Sequence, residues 1–250
     1  MKLKEERGEF EQLKRFYVEN SCEVAHSNFN YILKIDKGLI IACDEFYEIC
    51  IELFLKYFVY IEESIKGIDP ETYFKRYLLP SVLFYIVAPF PGYVCTSILQ
   101  AAIPLAYFAL RQILEAITIA VYMDTCPRYK NLDYERKARE ARRLTFSDTL
   151  GYFERIDRGL AENLRRLYGL LSSYIHPFAR KGLGGLVSLA DRSLDEHGIP
   201  PTFATAFALS KYTGGKADET ELARLKKTIY ETARLVIELI NVWLMYIARG

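Results

Sequence analysis

The chain has 250 residues, 51% of them hydrophobic and 26% charged, enough for one large core or two modest ones. Lys and Arg number 33 against 32 Asp and Glu, so no global field draws the protein to nucleic acid or to an acidic membrane, and any such contact has to be local. Five cysteines without a Cys-x-x-Cys pair, and three histidines of which none sits at zinc spacing, signal neither a disulfide framework nor a metal site; no cofactor is expected either.

The first seven residues are charged and contain no apolar signal region, which makes a reducing cytoplasm the expected setting. Helical periodicity dominates from there. A first helix is expected over residues 4 to 26, with Phe10, Leu13, Tyr17 and Val24 near one face. A second is expected over 38 to 66, rich in Phe, Tyr and Ile, where Cys43 and Cys50 read as small packing residues. Asp69 followed by Pro70 forms an N-cap with proline at the first helical position and starts a third helix that ends near Pro89.

Between Arg76 and Arg111 lie 34 residues without a formal charge. Pro80, Pro89, Pro91 and Pro104, with Gly92, break this run into a short helix, a turn and a new helix over 96 to 123, so the expectation is a buried hairpin of two core helices. A membrane-embedded hairpin is the alternative, and no lysine or arginine asymmetry supports it, so a membrane is not an expected partner. Beyond Thr125-Cys126-Pro127, Asn131 is placed to cap a charged helix ending near Leu144, and Ser147 or Asp148 to cap the next. A helix from Asp157 runs to His176. Residues 177 to 215 carry nine glycines and prolines and no sustained period, which predicts a long loop, with a short strand pair suggested near 185 to 190. Asp218 or Thr220 caps a last helix whose stripe is Leu222, Leu225, Ile229, Ala233, Val236 and Ile240. The prediction is one all-α domain, a bundle of seven or eight helices with a Gly/Pro-rich loop before the last.

Two helices carry the polar residues of interest. At about 100° per residue, Leu160, Leu164, Leu167, Leu171 and Ile175 share an apolar stripe, while Arg165, Tyr168, Ser172 and His176 form a second one roughly a third of a turn away. On the central helix, Gln100, Tyr107, Arg111, Glu115, Thr118 and Tyr122 fall near a common line. A buried charge has to be paired, so Arg111 and Glu115 either satisfy each other across one turn or face the Arg165, Tyr168, Ser172 and His176 stripe. The basic run from Arg136 to Lys181 is interleaved with Glu135, Glu140, Asp148, Glu154, Asp157 and Glu162, and reads first as a solvated helix surface.

The pattern Leu110-Arg111-Gln112-Ile113-Leu114-Glu115-Ala116, then Tyr122 and Asp124, then Leu167-Tyr168-Gly169-Leu170-Leu171-Ser172-Ser173-Tyr174-Ile175-His176-Pro177 resembles helical proteins with an Arg-x-x-x-Glu helix and a later Leu-Ser-x-x-x-His-Pro helix end. These are similar to the HEPN superfamily, found among toxins, abortive-infection proteins and CRISPR-associated ribonucleases. The resemblance covers residues 100 to 180. It implies an all-α bundle, often dimeric, whose catalytic members cleave RNA without a metal, with a histidine as acid and base and an arginine on the phosphate. This chain departs from that pattern: the arginine expected four to six residues from the histidine would fall at Gly169, Leu170 or Leu171, and the nearest upstream arginine is Arg166. Arg111 or Arg165 has to supply the cation instead.

The leading expectation is therefore a cytoplasmic, HEPN-like, metal-independent ribonuclease of a defence or toxin system, working on RNA as a homodimer through His176, Arg111, Glu115, Arg165, Tyr168 and Ser172. Two rivals stand beside it. One is a non-enzymatic interaction or dimerisation module that meets a protein partner through Phe46, Tyr47, Phe54, Tyr57 and Phe58; the other is an apolar-ligand or membrane-associated protein that uses residues 77 to 110.

Overall fold

The computed structural model describes residues 20–64, 75–100, 102–175 and 219–247. Most of the helix expected over 4 to 26, the Asp69-Pro70 cap, His176, the loop over 177 to 215 and the strand pair suggested within it lie outside the described residues. Among the described residues seven helices follow one another: α1 (Asn20–Ser64), α2 (Leu79–Leu99), α3 (Ile103–Thr125), α4 (Tyr134–Ala141), α5 (Phe146–Ile156), α6 (Arg158–Ile175) and α7 (Glu219–Ile247). No strand occurs among the described residues, and the all-α fold is the one the periodicity predicts.

Helix α3 is the axis of the bundle, packed against α2, α4, α5, α6 and α7. That position explains its composition, since Ala106, Tyr107, Leu110, Ile113, Leu114, Ile117 and Val121 point to different sides and are all enclosed. Helices α1 and α7 pack on each other, and α7 buries the whole predicted stripe from Leu222 to Ile240.

Within α1, Asp36 leaves the helical region at φ −150 and ψ 80. Its Oδ1 accepts from the Gly38 amide at 3.0 Å and its Oδ2 from Lys226 Nζ at 2.6 Å. A helix start is thus built inside α1 at the place where the sequence pattern begins a helix, and α7 is tied to it. On the stretch that follows, Leu39, Ala42, Cys43, Phe46 and Cys50 are buried. Phe46 therefore belongs to the core and not to the surface expected of it, Tyr47 is exposed, and the side chains of Tyr57 and Phe58 lie outside the described set.

The hairpin of α2 and α3 departs from expectation on one arm. Helix α2 starts as Leu79–Val82, widens to a π turn over Leu83–Val87 and resumes over Phe90–Leu99. Pro80 and Pro91 fall in first turns, where a missing N–H costs nothing. The most apolar window of α3 is 56% buried, but that of α2 only 28%. The α2 arm is not a core helix: Phe84, Tyr85 and Tyr93 are exposed.

What holds the start of α2 is a polar node inside the core. Asp124, at the end of α3, accepts from the Leu78 amide at 2.9 Å, the Leu79 amide at 3.0 Å, Lys137 Nζ at 2.9 Å and Trp243 Nε1 at 3.1 Å. Lys137 of α4 also donates to the Arg76 carbonyl at 2.7 Å and lies over the Tyr77 ring. Burial pushes the Asp124 carboxyl upward, and the Lys137 ammonium with the Leu79 and Leu78 amides pulls it back.

The next two helices are capped near the expected places. Asp133, not Asn131, caps α4 by accepting from the Arg136 amide at 2.9 Å. Thr145 is the N-cap of α5, and Asp148 three residues on accepts from the Thr145 amide and hydroxyl, each at 2.7 Å.

Candidate functional site

Helix α6 begins where Asp157 accepts from the Leu160 amide at 3.0 Å, and Leu160, Leu164, Leu167 and Leu171 are buried along one side of it. This fixes the rotation of α6 and turns Tyr168 and Tyr174 toward α3. The Tyr107 and Tyr174 rings stack in parallel, with centroids 3.9 Å apart. One turn along, Arg111 Nη2 donates to the Tyr168 hydroxyl at 2.7 Å, and its guanidinium carbon stands 4.9 Å from the centre of the same ring. Phe146 of α5 stacks on Tyr168 at 3.9 Å and holds the plane of that ring.

Arg111 also satisfies the other expectation made of it. Its Nε lies 3.5 Å from Glu115 Oε2, within ion-pair range though without a hydrogen bond, and both side chains are mostly enclosed. Arg111 thus pairs with Glu115 on its own helix and reaches one residue of the facing stripe, Tyr168.

Ser172 lies between Tyr168 and Tyr174 on α6. Its Oγ, with Tyr107 Oη and Arg111 Nε, is buried without a hydrogen-bond partner, and these are the three such side-chain atoms found among the described residues. Burial, followed by the neighbouring Tyr174, pushes the Tyr107 phenol far upward, so it stays protonated. By contrast Ser173 is satisfied, donating to the Leu170 carbonyl at 2.7 Å.

Arg165 does not join this cluster. It stands about 60° around the helix from Tyr168 and forms an ion pair with Glu154 of α5 on the exposed side. His176 follows the last described residue of α6, so its side chain lies outside the described set. On the α3 stripe, Gln100 ends α2 and is not part of α3, Thr118 donates back to the Leu114 carbonyl at 2.6 Å, and Tyr122 packs edge-on against Tyr129 and Tyr152.

The surface arginines of this region are largely neutralised: Arg143 by Glu140, Arg158 by Glu162 and Arg166 by Glu231. An open groove of about 620 Å³ runs between α6 and α7, lined by Asn163, Arg166, Lys226, Lys227, Tyr230, Glu231 and Arg234. Of its four cations, Arg166 and Lys227 pair with the lining Glu231, and Lys226 and Arg234 with Asp36 and Glu238 outside the groove. Among the described residues no group of His, Cys, Asp and Glu is arranged to hold a metal ion.

Sequence reasoning missed Phe146 as the support of Tyr168, and it missed the joint role of Asp124 and Lys137. The signal for the second was present, since a lone carboxylate at the end of an apolar core helix has to find donors elsewhere. Fold and site together define an all-α protein with a polar seam between its central helix and α6. Comparison of the chain with protein-family models, with curated proteins and with solved structures gives no match.

Proposed function

We propose that the chain is a HEPN-like helical protein that acts on RNA in the cytoplasm as a homodimeric, metal-independent ribonuclease of a defence or toxin system. The observation carrying this reading is the bond from Arg111 to the Tyr168 hydroxyl, which couples the Arg-x-x-x-Glu helix to the helix that leads into His176. The buried Ser172 Oγ supports it as well, because a purely structural seam rarely leaves a buried hydroxyl without a hydrogen-bond partner.

In this reading His176 takes the proton from a ribose 2′-hydroxyl as that oxygen attacks the adjacent phosphorus, and a proton is returned to the departing 5′-oxygen. Arg111 steadies the charge that builds on the phosphate, while Glu115 and Tyr168 position its guanidinium. The groove of Arg166, Lys226, Lys227 and Arg234 offers the phosphodiester backbone an approach beside α6, where phosphate would take the place of the carboxylates of Glu231, Asp36 and Glu238.

The test incubates wild type, His176→Ala and Arg111→Ala with structured and unstructured RNA in the presence of a chelator. Wild type should cleave on the order of 100-fold faster than His176→Ala. Equal cleavage by the two sinks the ribonuclease reading.

A second reading, a non-enzymatic interaction module, is favoured by the pairing of Arg143, Arg158, Arg165 and Arg166 with carboxylates, which leaves little free basic surface along α5 and α6. There the Arg111–Tyr168 bond only sets the register of α3 against α6. A protein inert on RNA that still self-associates in sedimentation selects this reading.

A further inference from the structure

The hairpin of α2 and α3 combines two properties that seldom coincide. Its α2 arm and the first turns of α3 lie in a run of 34 residues without a charge, and the α2 arm is exposed. Core helices lack charge because they are buried, but the apolar window of α2 is only 28% buried. Surface helices are exposed and carry charge. The hairpin instead presents Phe84, Tyr85, Tyr93, Leu105 and Phe108, which are between 43% and 70% exposed. Phe84 and Tyr85 touch edge to face at 5.0 Å, so neighbouring rings share the patch.

We propose that this face seats on the surface of a phospholipid bilayer. Charge distribution selects lipid over a protein partner. Protein interfaces keep a polar rim and tolerate charges around it, whereas a charge brought into hydrocarbon is strongly disfavoured, and here no charge interrupts residues 77 to 110. Size points the same way. Aromatic side chains offer roughly 150–250 Å² each, so the five residues expose on the order of 500 Å², short of the ~800 Å² per partner of a standard stable protein interface.

The chemistry of the patch fits an interface and not a span. Tyrosines are favoured at the boundary between hydrocarbon and headgroups. Pro89, Pro91 and the π turn interrupt α2, and its first residues are fastened to Asp124 in the core, so the arm lies on the protein surface with one side turned outward. Arg76, exposed, precedes it and places positive charge where anionic headgroups would meet the edge of the face.

Flotation of the full-length protein with vesicles tests this, using phosphatidylcholine alone and phosphatidylcholine mixed with phosphatidylglycerol. Wild type should float with both, more completely with the anionic mixture. Tyr85→Glu with Tyr93→Glu should lose roughly tenfold or more in partitioning, while Tyr85→Phe with Tyr93→Phe should retain it, all variants keeping the wild-type circular dichroism. A Tyr93→Trp variant gives a second readout, because Trp243 is fully buried and a blue shift on adding vesicles would come from position 93. Wild type that leaves both vesicles unbound overturns the proposal. If the same glutamates disperse a concentration-dependent dimer instead, the occupant is a second copy and the proposal is equally overturned.

Discussion

The carboxylate of Asp124 and the ammonium of Lys137 meet at 2.9 Å with neither side chain open to solvent. Such a pair has a large desolvation cost and is held by the bonds around it, here from two backbone amides, an indole and a carbonyl acceptor. It joins the start of α2, the end of α3, α4 and α7 at one point, so it determines where the exposed hairpin arm leaves the core.

Removing either partner strands the other as a buried charge. Asp124→Ala should cost about 3–5 kcal/mol and lower the melting temperature by roughly 10 °C. Lys137→Met should cost less, because Asp124 keeps its amide and indole donors, whereas the loss of Asp124 also leaves Leu78, Leu79 and Trp243 without an acceptor. Thermal unfolding of both variants and of the double variant decides this; equal costs for the two single variants would contradict the assignment of Asp124 as the hub.

Tyr168→Phe isolates the contact at the seam. The ring, its stacking on Phe146 and the cation–π contact all remain, and only the hydroxyl that Arg111 donates to is lost. A stability loss of about 1.5–3 kcal/mol is expected, the range for a hydrogen bond to a charged group. Urea unfolding measures it, and a loss well below 0.5 kcal/mol would mean that Glu115 alone anchors Arg111. Run beside the RNA assay, the same variant separates positioning from register. If Arg111 acts on phosphate, turnover falls with little change in RNA affinity; if it only sets register, stability alone changes.

Much of the fold was legible because burial leaves a period. The α6 leucines and the α7 stripe repeat at three and four residues, and both stripes are buried in full wherever side chains are described. Leu39, Ala42, Cys43, Phe46 and Cys50 repeat in the same way, so the core position of Phe46 was readable by the same test; its aromatic neighbour Tyr47 drew it toward the surface. The exposure of α2 was not readable, because absence of charge reports an apolar environment without saying whether protein supplies it. For the seam, the two stripes were visible, but contacts across helices were not: Arg165 has two directions open to a long side chain, and only the position of Glu154 on α5 decides between them.

Thiol reactivity should follow the packing of α1 against α2. A hydrogen bond between the Cys43 and Cys95 thiols raises Cys43 and lowers Cys95, while burial pushes both upward. Burial pushes Cys50 up to about 12. In native protein near pH 8, a thiol reagent should label exposed Cys22 first and half-buried Cys95 next, with Cys43, Cys50 and Cys126 labelled only on unfolding. Mass spectrometry of the labelled peptides checks the order, and early labelling of Cys43 would show that α1 and α2 separate readily.

The N-terminus of α5 should be sensitive to acid. Asp148 accepts from the Thr145 amide and hydroxyl, bonds that favour the charged form and hold its carboxyl below the ordinary aspartate range. A depressed pKa in the folded state contributes stability that is complete above the unfolded value, near 3.9, and is lost as pH falls through the folded one. Between neutrality and about pH 5 the cap should therefore be unaffected, and below about pH 4 the first turn of α5 should loosen as Asp148 takes up a proton. Because Phe146 lies in that turn and stacks on Tyr168, the loosening should reach the Arg111 contact. Carbon-detected titration of the Asp148 carboxyl, followed together with the Phe146 and Tyr168 ring resonances, measures both events. Asp148→Asn should already show the shifted rings at neutral pH and should flatten their acid transition; rings that move in acid to the same extent in this variant would assign the transition to another carboxylate.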